Sequence, residues 1–595
     1  MSKKYDIREL TLQECRIDNR EWMKLYLNNN YDELTVKMIE ILSALSDSKN
    51  CFLQIDKQTY IFINTLCKNI GFYLTQESYT IEDEGLISRL MLVNRTIANI
   101  FEISSFGSTD CFVKILKEAP NSLVKLLVLY NAKCSVEVLY KELYKQESLE
   151  NIVSNWYGVF MNDNHPITRE LQTKMSKHLL HVPKKINITL TSSTGYFNCT
   201  YIDNILDRNY KRSFNSSMQS LIGIDIKNKP KKKKPQIAIV SSRWKSSSAV
   251  YRSLFPYIEA LSKHFELTLL ALGDDNAKDI DESIFKKIIL IKREKQTGTI
   301  NVSEISVNDY SLVLYADIGM DTESRFLSNV RIAPLQATMY GHPVSTFGST
   351  IDFFIGGEDT ERADLAEENY DEKLVLIKGI GAIPIKNNYI PSSVNTFDEK
   401  KIVFLGSFYK INSQILDALE AINTQSNEVS GINPKFMFVP GSAIIRNQSF
   451  LTTSRFLKTK LGEETEVNRP MPNNDYMDKL NSSTICLDSY PFGGFNSIMD
   501  ALHVGKPVVT YEGTKAYNRL ASAVMRRLGL DELIASSQEE YIAIATRLLS
   551  DKEFYNQVVN HIAQLDFDAL LRIREDELED FVKKIKMIIS GEIKK

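Results

Sequence analysis

The sequence predicts an α/β protein in which an all-helical region precedes two doubly wound parallel sheets. Apolar residues recur at helical spacing through the first part of the chain, and from residue 236 short apolar strands alternate with helical stretches. Strands that alternate with helices form parallel sheets covered on both faces. A chain of 595 residues also exceeds what one hydrophobic core can hold, so several domains are expected.

The first domain, residues 1–185, is expected to be all-helical. One of its apolar stripes contains Met38, Ile41, Leu42 and Leu45 at helical spacing. The domain is interpreted as a packing or docking module without chemistry of its own. Residues 186–235 are expected to connect it to the sheets, and the lysine-rich end of this segment is typical of a solvated linker.

The two sheets are assigned to Rossmann-like domains at residues 236–390 and 391–595. Strands of the first are predicted at residues 237–240, 267–272, 288–291, 312–315, 353–355 and 374–377. Strands of the second are predicted at residues 402–405, 436–439, 485–487 and 508–511. An amphipathic helix that ends the chain is counted with the second domain; its stripe is Leu578, Phe581, Val582, Ile585 and Ile589.

Composition narrows the function classes. The net charge of -3 argues against a general nucleic-acid or membrane-surface binder, which usually carries a basic excess. The first residues lack the apolar core of a signal peptide, and no apolar run approaches the ~18 residues needed to span a bilayer. The seven cysteines form no CxxC pair, so neither a zinc site nor a disulfide framework is indicated. A cytoplasmic protein is expected.

Two doubly wound halves create a cleft at the carboxyl ends of their strands, where ligands usually bind. No G-x-G-x-x-G follows the first strand of either half, and no G-x-x-x-x-G-K-[ST] is present. These absences weaken the dehydrogenase and P-loop nucleotide hydrolase interpretations.

The most informative segment is CLDSYPFGGFNSIMDALHVGKPVVTYEG, residues 486–513. A strand ends there, Gly493 and Gly494 make a tight turn, and Asn496 or Ser497 can cap the helix that follows. Amides in the first turn of that helix, aided by the helix dipole, can hold a diphosphate without a metal. Asp500, one turn further, would oppose a phosphate but suits the two hydroxyls of a ribose. The segment as a whole indicates nucleotide binding.

This segment resembles the nucleotide-binding segment of glycosyltransferase family 41, which includes O-GlcNAc transferase and the bacterial HMW1C-like N-glycosyltransferases. The bacterial branch is the closer match. Four further segments of this chain resemble motifs of the bacterial branch: SSSAVYRS at residues 246–253, RIAPLQATMYGHP at 331–343, FLGSFYKIN at 404–412 and MRRLGL at 525–530. The resemblance implies the GT-B fold, two Rossmann-like domains facing a cleft, preceded by an all-α domain.

The resemblance also implies roles in donor binding. Lys410 corresponds to a lysine that contacts the donor diphosphate, where an ammonium would neutralise charge on the leaving group. Ser407 is the polar position three residues earlier. Asn496 and Ser497 match the start of the phosphate-binding helix, and Asp500 matches the ribose carboxylate.

Further positions follow in the same way. Gly341 matches the glycine beside the donor sugar, and His342 after it is a candidate catalytic residue together with Lys410. Arg252 matches the arginine of the first-helix motif and is the third catalytic candidate. Ser442 stands where the family has a glutamine after a strand-end glycine, and it is counted with the donor-binding residues.

Two departures bear on mechanism. Ser248 and Met471 stand where the N-glycosyltransferases have histidines. Neither serine nor methionine can act as a general base near neutral pH. Three interpretations therefore stay open: an inverting transferase to asparagine, a transferase to a glucose already attached to protein, with or without retention of configuration, and a catalytically weakened partner of another transferase.

The resemblance implies UDP as the nucleotide and UDP-glucose as the donor, with UDP-galactose and UDP-GlcNAc as alternatives. No cofactor and no metal are expected, because Lys410 and helix amides can supply the positive charge. The expected acceptor is a bacterial adhesin-like protein or a glycopeptide. A binding or scaffold protein and a sugar-nucleotide epimerase are the competing classes.

Overall fold

The computed structural model describes residues 5, 7–47, 55–119, 122–144, 149–162, 166–222, 235–273, 279–292, 300, 305, 309–392, 396–431, 433–440 and 447–595. The chain divides into two compact units. One comprises Met1–Ser213 and Ala443–Glu463, and the other comprises Phe214–Ser442 and Glu464–Lys595. The helical region and the two sheets predicted from the sequence are confirmed.

The first unit is built from helices. They are α1 (Asn19–Leu27), α2 (Tyr31–Asp47), α3 (Lys57–Thr75), α4 (Glu84–Leu92), α5 (Asn94–Ile103), α6 (Asp110–Glu118), α7 (Leu123–Leu129), α8 (Tyr140–Leu143), α9 (Glu150–Phe160), α10 (Arg169–Leu180), α11 (Ser193–Ile202) and the first part of α12 (Asp207–Ile222), up to Ser213. In α3, for example, Asp56 accepts a hydrogen bond from the amide of Thr59 and so caps the helix, while Ile63, Leu66 and Ile70 form its buried stripe.

The strands of the second unit form two parallel sheets. The first sheet contains β1 (Gln236–Ser241), β2 (Glu266–Leu272), β3 (Lys287–Ile291), β4 (Tyr310–Tyr315), β5 (Gln336–Thr338), β6 (Phe353–Gly357) and β7 (Lys373–Ile377), in the order β3-β2-β1-β4-β5-β6-β7. The second contains β8 (Lys401–Phe404), β9 (Lys435–Phe438), β10 (Glu466–Val467), β11 (Ile485–Leu487), β12 (Val508–Tyr511) and β13 (Ile534–Ala535), in the order β10-β9-β8-β11-β12-β13.

Helices alternate with these strands. They are α13 (Ala249–Ser262), α14 (Thr322–Leu327), α15 (Ala366–Asn369), α16 (Ser413–Ser430), α17 (Asn447–Leu461), α18 (Asn473–Asn481), α19 (Asn496–His503), α20 (Leu520–Arg527), α21 (Gln538–Ser550), α22 (Lys552–Gln564), α23 (Phe567–Leu570) and α24 (Glu575–Ser590). One of them, α17, follows β9 in the chain but belongs to the helical unit.

Both faces of the first sheet are buried. Ile237 and Ile239 of β1 lie in one core cluster, and Ala238 and Val240 lie in the other, as the period of two in a strand requires. The final helix, α24, places Phe581, Val582, Ile585 and Ile588 in the first of these clusters. The helix that the sequence grouped with the second sheet thus packs on the first one.

All ten strands predicted from apolar runs are present within one or two residues of their expected bounds. Three more strands, β5, β10 and β13, were not predicted. They contain three, two and two residues, too few for a periodic pattern, and their backbones pair only because a neighbouring strand lies beside them.

Candidate functional site

The strand orders place two crevices at the carboxyl edges of the sheets. The order reverses between β1 and β4 in the first sheet and between β8 and β11 in the second. Ligands in doubly wound sheets bind outside the carboxyl ends of strands at such reversals. The segment that carries Lys410 follows β8, and the Gly493–Gly494 turn follows β11, so both stand at the reversal of the second sheet.

Asp488, directly after β11, shapes the glycine turn. Its Oδ1 accepts hydrogen bonds from the amides of Ser489, at 2.8 Å, and Gly494, at 2.7 Å, and its Oδ2 accepts one from the hydroxyl of Thr510 at 2.8 Å. The side chain is 1% exposed. Burial raises the pKa of this carboxyl, while the charge of Lys410 and the hydrogen bonds lower it.

Position 494 has no room for a side chain, so the residue there must be glycine. A Cβ built there would lie 2.5 Å from Ser497 Oγ and 3.1 Å from Asp488 Oδ1. The turn therefore passes between the carboxylate behind it and the first turn of α19 in front of it. A close backbone approach of this kind is what a phosphate-binding turn before a helix requires.

Lys410 reaches this turn from the neighbouring loop. Its Nζ donates a hydrogen bond to the carbonyl oxygen of Gly493 at 2.8 Å and lies 5.0 Å from the centre of the Phe492 ring. Asn412 fixes the loop, since its Nδ2 donates to the carbonyl of Tyr490 at 2.7 Å. Burial lowers the pKa of Lys410 to about 8, and the charge of Asp488 opposes that change.

The helix after the turn, α19, begins at Asn496 with Phe495 in the cap position and no side-chain cap. The prediction that Asn496 or Ser497 caps this helix is therefore wrong. Asn496 lies inside the helix, and its Oδ1 instead accepts a hydrogen bond from the amide of Ile385 at 3.1 Å. Because no side chain of the cap residue occupies the first-turn amides, they can serve an anion.

Asp500 projects from the next turn of α19. Its Oδ1 accepts a hydrogen bond from Asn387 Nδ2 at 3.0 Å. Burial raises the pKa of Asp500, and the Asn387 hydrogen bond and the charges of His503 and Arg252 lower it. Arg252 is exposed on α13, which follows β1, so its positive charge acts on Asp500 from the first sheet. These residues join the two halves of the predicted site.

Asp317 follows β4 at the reversal of the first sheet. Its carboxylate accepts hydrogen bonds from Ser241 Oγ at 2.6 Å and from the amide and hydroxyl of Ser242, both at 3.1 Å, and so ties the ends of β1 and β4. A Cβ on Gly341 would lie 2.1 Å from the carbonyl oxygen of Ala316 and 2.7 Å from the Cα of Asp317. Gly341 is thus fixed against this edge.

His342 is buried beside the glycine turn of the second half. Its ring stacks at 6.3 Å and 14° on Phe492, which stacks at 4.6 Å and 7° on Tyr517. The histidine after Gly341 and the aromatic residue before Gly493 are therefore neighbours, and Lys410 lies against the same Phe492 ring.

Most of the site residues predicted from the sequence thus lie at the two strand-order reversals. Ser407 directly precedes the short helical turn Phe408–Lys410 that ends with the lysine, and its carbonyl accepts a hydrogen bond from the Lys410 amide at 2.9 Å. Ser442 lies outside the described residues. Ser248 and Met471, the two positions without the expected histidine, precede α13 and α18.

Three residues that shape the candidate site were not predicted from the sequence. Asp488, Asp317 and Phe492 each border the predicted residues, yet only Asp488 had a signal, as the first polar residue after an apolar strand beside a glycine turn. Asp317 reaches the site only because β4 pairs with β1. Phe492 contributes through stacking on His342, which is distant from it in the chain.

Comparison with known proteins agrees with this architecture. The family model described as glycosyl transferase family 41 matches residues 469–574, which include the glycine turn and α19. The chain is 24% identical over 565 residues to the UDP-glucose:protein N-beta-glucosyltransferase of Actinobacillus pleuropneumoniae serotype 5b, covering 89% of this chain and 88% of the relative. The resemblance to glycosyltransferase family 41 is confirmed.

The chain is a glycosyltransferase. Part of it is also similar to the probable UDP-N-acetylglucosamine–peptide N-acetylglucosaminyltransferase SPINDLY of Arabidopsis thaliana, 25% identical over 239 residues, covering 37% of this chain and 24% of that protein. Among solved structures, a mutant of the Thermobaculum terrenum O-GlcNAc transferase superposes with a TM-score of 0.55 at 15% identity, covering 96% of this chain and 97% of that one. The glycosyltransferase has the GT-B fold.

The described residues contain neither a membrane-spanning helix nor a metal-binding cluster. No helix among them is long and apolar enough to cross a membrane. No group of three or more histidine, cysteine, aspartate or glutamate side chains within the described part of the chain is arranged to hold a metal ion. Metal independence stays a prediction.

Proposed function

We propose that this glycosyltransferase transfers a hexose from a UDP-sugar, UDP-glucose first, to a protein or glycopeptide. One observation carries the proposal. Lys410, the Gly493–Gly494 turn and the uncapped start of α19 meet at the strand-order reversal of the second sheet. A cation, free amides and a helix dipole at one point constitute a site for a diphosphate. The matched relative from Actinobacillus pleuropneumoniae is named for UDP-glucose and protein.

The site divides the donor into three parts. The diphosphate would lie on the first-turn amides of α19 with Lys410 beside it, where the ammonium stabilises the charge that develops as UDP leaves. The ribose would reach Asp500, whose carboxylate can accept two hydroxyl hydrogen bonds once it exchanges Asn387 for them. The sugar would lie towards Gly341 and His342, close to the glycine turn.

The acceptor has two candidates, which the chemistry at Ser248 and Met471 keeps open. An asparagine amide has no easily removed proton, so transfer to it does not need a histidine base. A glucose already attached to protein offers a hydroxyl, and a retaining displacement can use the departing phosphate oxygen as its base. Neither route requires an imidazole at those two positions.

One experiment separates the two routes. The full chain is incubated with UDP-glucose and either a bare peptide containing Asn-x-Thr or the same peptide carrying one N-linked glucose. Intact mass shows which peptide gains one hexose residue, and NMR of the product gives its anomeric configuration. Transfer to the bare peptide supports the asparagine route, and transfer only to the glycosylated peptide supports extension.

Two results would contradict the proposal. A thermal-shift measurement in which UDP-glucose does not raise the melting temperature would contradict the assignment of the donor site, because a bound ligand must raise the apparent stability. Binding without transfer to either peptide would favour a catalytically weakened partner or scaffold. Action in the cytoplasm on adhesin-like proteins is part of the proposal and is tested by fractionating cells and recovering modified acceptors.

A further inference from the structure

We propose that Asp488 is a positioning residue of the donor site, a single buried carboxylate that shapes the glycine turn and supplies the negative charge that keeps Lys410 an ammonium. The proposal rests on the proposed function for its consequence in catalysis. The effect of the Asp488 carboxylate on the ionisation of Lys410 does not depend on a bound donor. Neither the sequence motifs nor the named relatives assign this residue a role.

The geometry places Asp488 and Lys410 on the same turn. Asp488 holds the amide of Gly494 at 2.7 Å, and Lys410 holds the carbonyl of Gly493 at 2.8 Å. The peptide bond between those two groups is the one that joins the glycines. Its carbonyl therefore points towards the lysine and its amide towards the carboxylate, so that each side chain fixes one end of the same peptide unit.

Asp488 is itself rigidly held. Thr510 donates to its Oδ2 from the end of β12, and the hydroxyl of Tyr541 donates to its main-chain carbonyl at 2.8 Å. A carboxylate that accepts three hydrogen bonds from fixed donors stays charged more readily than burial alone would allow. A fixed negative charge behind the turn is thus available to the lysine in front of it.

Charge supports the same assignment. Burial alone would push Lys410 towards its neutral form, and Asp488 is the charged side chain that opposes this among the described residues. The other groups against Lys410 are the Phe492 ring and the Gly493 carbonyl, which carry no net charge. A neutral amine could not offset charge on a departing diphosphate, so the carboxylate behind the turn sustains the cation in front of it.

The test measures the ionisation of Lys410 directly and then its effect. NMR titration of protein labelled with ¹³C at lysine Cε follows the Lys410 resonance, which is assigned by its loss in Lys410→Arg. In Asp488→Asn we expect the titration midpoint to fall by about one pH unit, since an opposite charge nearby is removed. Asp488→Ser, which also removes the negative charge, is the second variant if Asp488→Asn does not fold.

Matched controls separate charge from shape. Asp488→Glu keeps the charge with a longer side chain, and Thr510→Val removes one hydrogen bond to the carboxylate without removing charge. Both should leave the midpoint close to the wild-type value, because both keep the negative charge of the carboxylate. Asp317→Asn removes a buried carboxylate of the first sheet and controls for changes in overall charge.

The kinetic consequence follows from the same variants. The fall of kcat/KM with rising pH should begin about one unit lower in Asp488→Asn than in the wild type. An unchanged Lys410 midpoint in folded Asp488→Asn or Asp488→Ser would overturn the inference. A shifted midpoint in a protein that binds no UDP-glucose would keep the coupling and refute the proposed function instead.

Discussion

The ammonium of Lys410 lies 2.8 Å from the carbonyl oxygen of Gly493, so the loop after β8 is hydrogen-bonded to the turn after β11. These residues are 83 positions apart in the chain. The contact holds the cation next to the amides that open α19, where the charge of a leaving diphosphate would develop. It also leaves the lysine with a replaceable partner, since a diphosphate oxygen is a better acceptor for an ammonium than a carbonyl.

Replacing Lys410 with alanine should lower the rate of transfer about 10²–10³-fold, the usual cost of losing one preorganised charge at a reacting centre. The melting temperature should change little, because the side chain makes one hydrogen bond and has a partly buried stem. Steady-state kinetics and a thermal melt check both statements. Lys263→Ala, an exposed lysine just after α13, is the matched control and should keep the wild-type rate. Wild-type turnover in Lys410→Ala would show that the site is misplaced.

The activity should fall as the pH rises through about 8. The pKa of Lys410 is lowered to about 8 in the folded protein, so above that pH the cation is lost from the free enzyme. The quantity kcat/KM reports ionisations of the free enzyme and should drop about tenfold for each further unit. Lys410→Arg should abolish this alkaline limb at a lower maximal rate, because a guanidinium stays charged. An alkaline limb that persists in this variant would assign the ionisation to another group.

Asp500→Asn should weaken UDP binding by about tenfold to a hundredfold, the range expected for lost hydrogen bonds to a charged group. A ribose contact is made in both the ground state and the transition state, so KM should rise while kcat changes little. Calorimetry with UDP, with kinetics alongside, measures the two effects. Asp478→Asn, on the neighbouring helix α18, is the control and should bind UDP normally. A fall in kcat at unchanged affinity would contradict the ribose assignment.

Gly494→Ala should reduce UDP binding at least tenfold in a folded protein, because its Cβ would lie 2.5 Å from Ser497 Oγ and would force that side chain in the first turn of α19 to move. Combining it with Ser497→Ala removes the closest contact and leaves the approaches of 3.1 Å to Asp488 Oδ1 and 3.3 Å to Ile498 Cδ1. Affinity should therefore be partly restored relative to Ser497→Ala alone. A double variant no better than Gly494→Ala would mean that the loss is not steric.

Removal of divalent cations should leave the activity unchanged. The positive charge that the reaction needs is expected from Lys410 and the amides of α19. Transfer is measured before and after dialysis against EDTA, and then with magnesium or manganese restored. Full loss of transfer that either metal reverses would contradict the assignment of the diphosphate to these groups.

Local patterns were sufficient for much of the fold. Short apolar runs predicted ten strands of the parallel sheets, since buried parallel strands are apolar on both faces. The strands β10 and β13 could not be predicted in this way, because two residues form a strand only when a neighbouring backbone offers its hydrogen bonds. The cap of α19 was wrongly predicted for a related reason: the composition favours Asn496 as a cap, but its side chain bonds to Ile385, which is 111 residues away.

The sequence by itself determined the residue types of the proposed donor site: a lysine after one strand, a glycine turn after another and an aspartate one helical turn later. The glycine turn and the aspartate follow from local chemistry, and the lysine follows from the resemblance to glycosyltransferase family 41. Only the tertiary structure decided which of them meet. The pairing of β8 with β11 brings Lys410 to Gly493, the pairing of β1 with β4 places Asp317 behind Gly341, and the stacking of His342 on Phe492 joins the two halves. Such contacts depend on strand order, which apolar runs do not encode.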